Sequence, residues 1–424
     1  MQTRWSAAAA ASALALLLCA ACSDSQSPSD SRADGPQQEA GPGDGGPSEG
    51  GADALPDAAT DLAPDGPKPP ARWEKVTGAA PGMEDHRLTL LADGRALATG
   101  GDGYINATDR DALPKTYVYD PKSNSFSDGG DMTVERFYHT ATLLDDGRVL
   151  VTGGQSISAY EKSTELFDPT KPAAQAWTKG PDMQISRWGH AAIKLQNGEV
   201  LITGGFASSD STDRVVIFVP STNQFKFPAA LMKEKRRYHE MVLLPSGKVL
   251  IIGGVTGASQ STYEYSDTME IYDPANGTFT LLAKKMSKKR TGHRAVLLAN
   301  GKVLIVGGYC GRNCQGGQLV HDLYDPLTDT ITPIAPVGDL PSSHAAVLLD
   351  DGRVLVVGDE NSKQKVVAFD PSGGGGWTLE PDMLAPGQSR VEAVKLGDGS
   401  VLVVGGIVST SPYEFTKQAQ RFYP

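Results

Sequence analysis

The chain has 424 residues, with 48 Gly, 28 Pro, four Cys and a formal net charge of −11. That much Gly and Pro excludes a helical bundle, and the negative balance disfavours a nucleic-acid binder. The charge is unevenly spread: residues 23–71 hold ten Asp and Glu against only Arg32 and Lys68, so the remainder is close to neutral.

In chain order, Arg4 precedes an apolar run from Ala7 to Ala21. The run is too short to span a bilayer and reads as a secretory signal. It ends in Leu18-Cys19-Ala20-Ala21-Cys22-Ser23, which resembles a bacterial lipobox with Cys19 where that motif usually has Leu. The resemblance implies cleavage after residue 21 and acylation of Cys22. The expected product is an exported lipoprotein of a bacterial outer membrane or cell surface, touching the membrane through its acyl anchor only. Residues 22–71 read as a disordered linker: from residue 23 on they hold nine Pro and eight Gly but no Val, Ile or aromatic residue, too little apolar surface to offset the entropy of ordering.

From residue 72 to 424 one unit recurs seven times. An apolar run ends in a turn glycine (Gly94, Gly147, Gly198, Gly247, Gly301, Gly352, Gly399) and a second apolar run follows at once. Asp-Gly, Asn-Gly and Ser-Gly at these turns predict two-residue hairpins. Gly-Gly and a loop lead to a third strand, which in five units ends in an aromatic-Asp-Pro sequence such as Tyr119-Asp120-Pro121. Phe126, Trp177, Phe225, Phe279, Ile331 and Trp377 mark a fourth strand. Four strands per unit, at a spacing of about 51 residues, predict an all-β seven-bladed propeller. Unit seven lacks a fourth strand, and Trp73-Glu74-Lys75-Val76 supplies a spare one, so residues 72–78 are expected to pair with the strand ending at Tyr423 and close the ring.

The Gly-Gly, aromatic-Asp-Pro and Trp positions resemble kelch repeats, especially the bacterial type and the central domain of galactose oxidase. The topology puts the Gly-Gly loops and the segments entering each first strand on one face. Six histidines (His86, His139, His190, His239, His293, His344) recur eight residues before the turn glycines. They are expected to hydrogen-bond within their own blades. Kelch domains that bind acidic peptides carry arginines three residues earlier, which implies a ligand role for Arg136, Arg187, Arg236 and Arg290. Arg237, Lys233 and Lys235 add positive charge, and Tyr104, Tyr160 and Tyr309 offer flat surfaces. Guanidinium forks grip carboxylates bidentately, so the expectation is a binding module for a protein or polysaccharide, with an acidic ligand favoured.

An alternative is a galactose-oxidase-like copper radical oxidase, since Tyr138-His139 and Tyr238-His239 resemble that family's adjacent ligands. Its cofactor needs a lone cysteine. Cys310 and Cys314 are expected to form a disulfide in an exported protein, which leaves none. The reading is therefore a non-enzymatic, monomeric module with no cofactor or metal, and a purely structural envelope role stands as a further alternative.

Overall fold

The computed structural model describes residues 69–424 apart from 78–81, 105–109, 258–263, 311–320, 336–343, 359–364, 373–374, 385–387 and 411–412. The signal, Cys22, nearly all of the linker and Cys314 lie outside the described residues, as does most of the Glu360–Lys365 loop.

The alternating apolar runs fold into seven four-stranded antiparallel sheets. Their inner strands are Arg87–Leu90, Thr140–Leu143, Ala191–Lys194, Glu240–Leu243, Arg294–Leu297, Ala345–Leu348 and Glu392–Lys395, and they define blades 1 to 7. Each packs beside the next, and the seventh packs beside the first, so the sheets form a closed ring. The second strands, such as Val149–Thr152 and Val249–Ile252, are buried at every residue. A strand covered on both faces by neighbouring sheets gains nothing from polar alternation, which explains the unbroken apolar runs.

The ring closes as the sequence predicts. Arg72–Lys75 pairs with Gln420–Tyr423, Trp73 opposite Phe422, their rings 5.0 Å apart. The pairing ends sooner than residue 78: the Val76 amide still donates to the Ala419 carbonyl, but Thr77 crosses to blade 1 and bonds Asn124. The Trp73–Phe422 contact is the blade 7 version of a pair found at the same register elsewhere, Tyr119 opposite Phe126, Phe167 opposite Trp177 and Phe369 opposite Trp377. Such pairs fasten each outer strand to the apolar wall between blades.

The turns differ from the expected two-residue form. In blade 1 the Gly94 amide donates to the Leu91 carbonyl and the Leu91 amide to Arg95. Gly94 has φ 87°, while Asp93 is not among the residues with positive φ. This is a type I turn followed by a left-handed glycine, a three-residue loop. Asp93 earns its place by accepting the Arg95 amide at 3.0 Å.

Candidate functional site

Each repeat delivers three consecutive residues to three different environments. In blade 1 these are Asp85, His86 and Arg87; in blade 4, Tyr238, His239 and Glu240.

The histidines go between blades. His139 Nε2 meets the Thr99 hydroxyl of blade 1 at 2.8 Å, His190 meets Thr152 of blade 2 at 2.9 Å, and His239 meets Thr203 of blade 3 at 2.8 Å. The partner thus belongs to the preceding blade, which corrects the own-blade expectation. The Gly-Gly pair makes room for this contact. A Cβ on Gly153 would lie 2.8 Å from His190 Cε1, and one on Gly154 would lie 3.0 Å from His139 Cβ. Burial pushes His86, His139, His190, His239 and His293 below the usual imidazole range, His86 to about 4 against the pull of Glu392. They serve as blade-to-blade fasteners.

The residues after the histidines face the channel. Arg87 pairs with Glu392 at 3.0 Å, while Arg294 pairs with Glu240 and Glu392, both at 3.1 Å. Burial alone would raise Glu392, but Arg294 and Arg87 hold its carboxyl below the usual range. The network joins blades 1, 4, 5 and 7 across the channel.

The residues before the histidines form the rim above it. Their backbones are left-handed: Asp85 (φ 52°), Tyr138 (53°), Gly189 (61°), Tyr238 (53°), Gly292 (63°) and Arg390 (57°). The Tyr138 amide donates to the Asp85 carbonyl, Gly189 to Tyr138, and Tyr238 to Gly189, so the rim is itself hydrogen-bonded from blade to blade. Glycine meets this conformation in blades 3 and 5 at no steric cost; a tyrosine or arginine there is a genuine outlier. Tyr138 and Tyr238 meet edge to face at 5.4 Å, and Trp188 stacks on Tyr138 at 5.5 Å. Beside them Arg390 pairs with the buried Glu84 at 2.9 Å. Asp85 is pushed up to about 7, first by burial and then by Glu84, against the pull of Arg390. Its Oδ2 is buried without a hydrogen-bond partner among the described residues.

The rim shares its face with the Gly-Gly loops, because bridges join Phe137 to Gln155, Trp188 to Phe206, Arg237 to Val255 and Ser389 to Ile407. The shared loop face is therefore as expected.

The basic site is not as expected. Arg136, Arg187, Arg236 and Arg290 are fully buried. Arg136 reaches Glu165 at 2.9 Å, Arg236 reaches Glu270 at 2.6 Å and Arg290 reaches Asp322 at 2.8 Å. Each lies inside its own blade because its long stem and fork tie the entering segment to the third strand. They present nothing to a ligand on the loop face. Arg237 is also buried, donating to Ser211 at 2.7 Å and lying over Phe206 at 5.0 Å. Lys233 is exposed and Lys235 pairs with Asp210 at 3.0 Å. Tyr160 packs near Trp188 and Phe206 by the rim, whereas Tyr309 contacts Tyr265. For Tyr104 only the strand Asp102–Tyr104 is described. Cys310 is disulfide-bonded; its expected partner lies outside the described residues. Sequence reasoning missed Asp85, Glu84 and Arg390. The available signal was the column before the histidine, where Gly189 and Gly292 mark a left-handed site that other repeats fill with side chains.

Residues 85–308 match the family model described as the KLHDC2/KLHL20/DRC7 Kelch-repeats domain. The chain belongs to the Kelch-repeat family. Similar proteins include human "Kelch-like protein 15", 27% identical over 57% of this chain and 41% of that protein, and "Galactose oxidase" of Gibberella zeae, 25% identical over 67% and 44%. The chain thus spans about two fifths of the length of these curated relatives. A solved fungal alcohol oxidase of the AA5 family, in complex with copper, shares the fold at a TM-score of 0.67 and 20% identity, covering 84% of this chain and 76% of that one.

Copper can be tested against the residues of this Kelch propeller. His139 and His239 present Nε2 to threonines inside the blade interfaces, so the imidazoles do not join Tyr138 and Tyr238 at one point. Among the described residues no three His, Cys, Asp or Glu side chains are grouped to hold a metal. The described residues do not fit a copper radical centre.

Proposed function

We propose that this Kelch propeller is a binding module that docks a protein partner on the channel rim, over Asp85, Tyr138, Tyr238 and Arg390. One observation carries the reading: four of the described rim positions hold non-glycine side chains at φ 52–57° where sister repeats use glycine. Such strain costs on the order of 1 kcal/mol per residue and persists where a function holds it. The rim also has the chemistry of a recognition surface, with the half-buried Tyr238 beside titratable groups and the buried Tyr138 and Trp188 packed behind it. Glu84 and Asp102 both lie near enough to raise Asp85, and these three carboxyls outnumber Arg390, so the partner surface that fits offers hydrogen-bond donors or a basic side chain. The acidic-ligand expectation rested on arginines that are buried, and it is withdrawn. Membership of the Kelch-repeat family supports a binding role; the fold is shared with oxidases as well, but the donor geometry does not support that chemistry here.

The proposal extends to presentation. Arg4, the apolar run and Cys22 support an exported lipoprotein, with the Pro- and Gly-rich linker as its tether. Incorporation of labelled palmitate that disappears in Cys22→Ser tests the anchor. A photo-reactive amino acid replacing Tyr238 tests the docking face: it is expected to cross-link the partner, whereas the same group at Asp146, on the turn face, is not. Cross-linking from Asp146 alone would contradict the reading.

A further inference from the structure

The buried polar pair inside the blades is matched everywhere except in blade 3. Its acceptor is the residue that pairs with the third residue of the second strand. Glu165 lies opposite Val151, Glu270 opposite Ile251, Asp322 opposite Ile305 and Gln420 opposite Val403. The first three receive Arg136, Arg236 and Arg290. Gln420 receives no cation and instead pairs with Gln388, whose oxygen accepts from Gln420 at 3.4 Å. In blade 1 both positions lose their charge, with Met83 in place of the arginine and Tyr117 opposite Ala98. In blade 6 the sequence has Pro341 three residues before His344, and Val367 lies opposite Val356. Blade 3 alone keeps the cation and loses the acceptor: Arg187 remains, and Val216 stands opposite Ile202.

Arg187 holds the pose of its sisters. Its Nη1 donates to the Gly204 carbonyl at 3.0 Å, as Arg136 does to Gly153 at 2.6 Å and Arg236 to Gly253 at 2.8 Å. Its Nη2 therefore points where the others meet carboxylates. Both Nη2 and Nε of this fully buried side chain are without a hydrogen-bond partner among the described residues. Burial, with Arg214 nearby, pushes the guanidinium down to about 10, still charged at neutral pH. A buried, uncompensated cation is strongly unfavourable.

The sister blades also show what else the anion would meet. Glu165 accepts the amides of Thr133 at 2.7 Å and Val134 at 3.2 Å, and Glu270 accepts those of Lys233 at 2.6 Å and Glu234 at 3.1 Å. These are the residues three and two before the arginine, which in blade 3 are Gln184 and Ile185. In blade 3 Val216 supplies no carboxylate to these groups.

We propose that a small monovalent anion of the halide class occupies blade 3 at the place of the missing carboxylate, held by Arg187 Nη2 and the amides of Gln184 and Ile185. The site is structural and independent of the rim.

The test uses crystals of the protein soaked in sodium bromide, together with melting curves in chloride and in gluconate, too bulky to enter, at equal ionic strength. The expected result is an anomalous bromide peak within hydrogen-bonding distance of Arg187 Nη2, and a melting temperature higher in chloride by about 2 °C or more. In Val216→Glu the peak should vanish and the chloride dependence with it, because the chain then supplies its own carboxylate. Arg187→Met should lose both as well, and it decides the matter should Val216→Glu not fold. Water alone at the site, with equal melting temperatures in both salts, would overturn the proposal. So would chloride dependence that persists in the variants, since the anion would then act elsewhere.

Discussion

Tyr138 and His139 are neighbours in the chain and opposites in role. The histidine repeats in six units and is spent on the blade interface, buried against Thr99 with the Gly-Gly backbone tight around it. The tyrosine stands in a column that reads Asp85, Tyr138, Gly189, Tyr238, Gly292 and Arg390 among the described residues, one backbone conformation filled by different chemistry. In a repeat protein each blade has the same local need, so a residue that recurs answers to the fold. A residue that varies at a strained position answers to something outside it. The same contrast separates the buried arginines, which recur and are structural, from the rim.

The pH dependence of stability sharpens the fold side of this contrast most strongly. His86, His139, His190, His239, His293 and His321 have folded-state values below their ordinary one because burial disfavours the charged ring, His86 at about 4. The unfolded chain therefore binds protons that the folded one refuses. Stability should be fully present above pH about 6.5 and fall between there and pH about 4, by about 1.4 kcal/mol per pH unit for each histidine titrating. Asp85, Asp111, Glu240 and Asp322 have the opposite sign, being raised, but they are four carboxyls against six imidazoles. Urea melts across pH 4–8 check this, and a flat profile would show that the imidazoles are not buried fasteners.

Next in size is Glu165→Ala, which leaves Arg136 charged, buried and without its carboxylate. It should cost about 3–5 kcal/mol in denaturant melts. If Arg136 were a surface ligand residue instead, the loss would be near zero. Gly153→Ala, at φ 58° and in contact with His190, should cost about 2 kcal/mol or more, and a neutral result would break the fastener account.

The smallest effect tests the rim side. Asp85→Gly removes a left-handed side chain and a buried carboxyl at once, so stability should rise by about 1 kcal/mol while partner capture is lost. A stabilised variant that still captures its partner would detach strain from function.

How much was legible follows from the same distinction. The closed ring was readable because Trp73 is a fourth-strand signal displaced to the other end, and only pairing with Phe422 makes seven complete blades. The loop face was readable from strand direction. The burial of Arg136, Arg236 and Arg290 was not, because their carboxylate partners lie 29 to 34 residues away on the third strand. A one-dimensional pattern shows that an arginine recurs without showing what it meets. The turn type was missed because Asp-Gly serves both a two-residue loop and a type I turn with a left-handed glycine. Val216 was equally invisible until register aligned it with Glu165 and Glu270.

Hydrogen exchange with the captured partner bound tests the central claim most directly. Protection is predicted at residues 84–86, 137–138, 188–189, 237–238 and 389–390, with the turn glycines Gly94, Gly147 and Gly198 unchanged. Protection confined to those turns, or to the outer strands such as Thr278–Leu281, would contradict it.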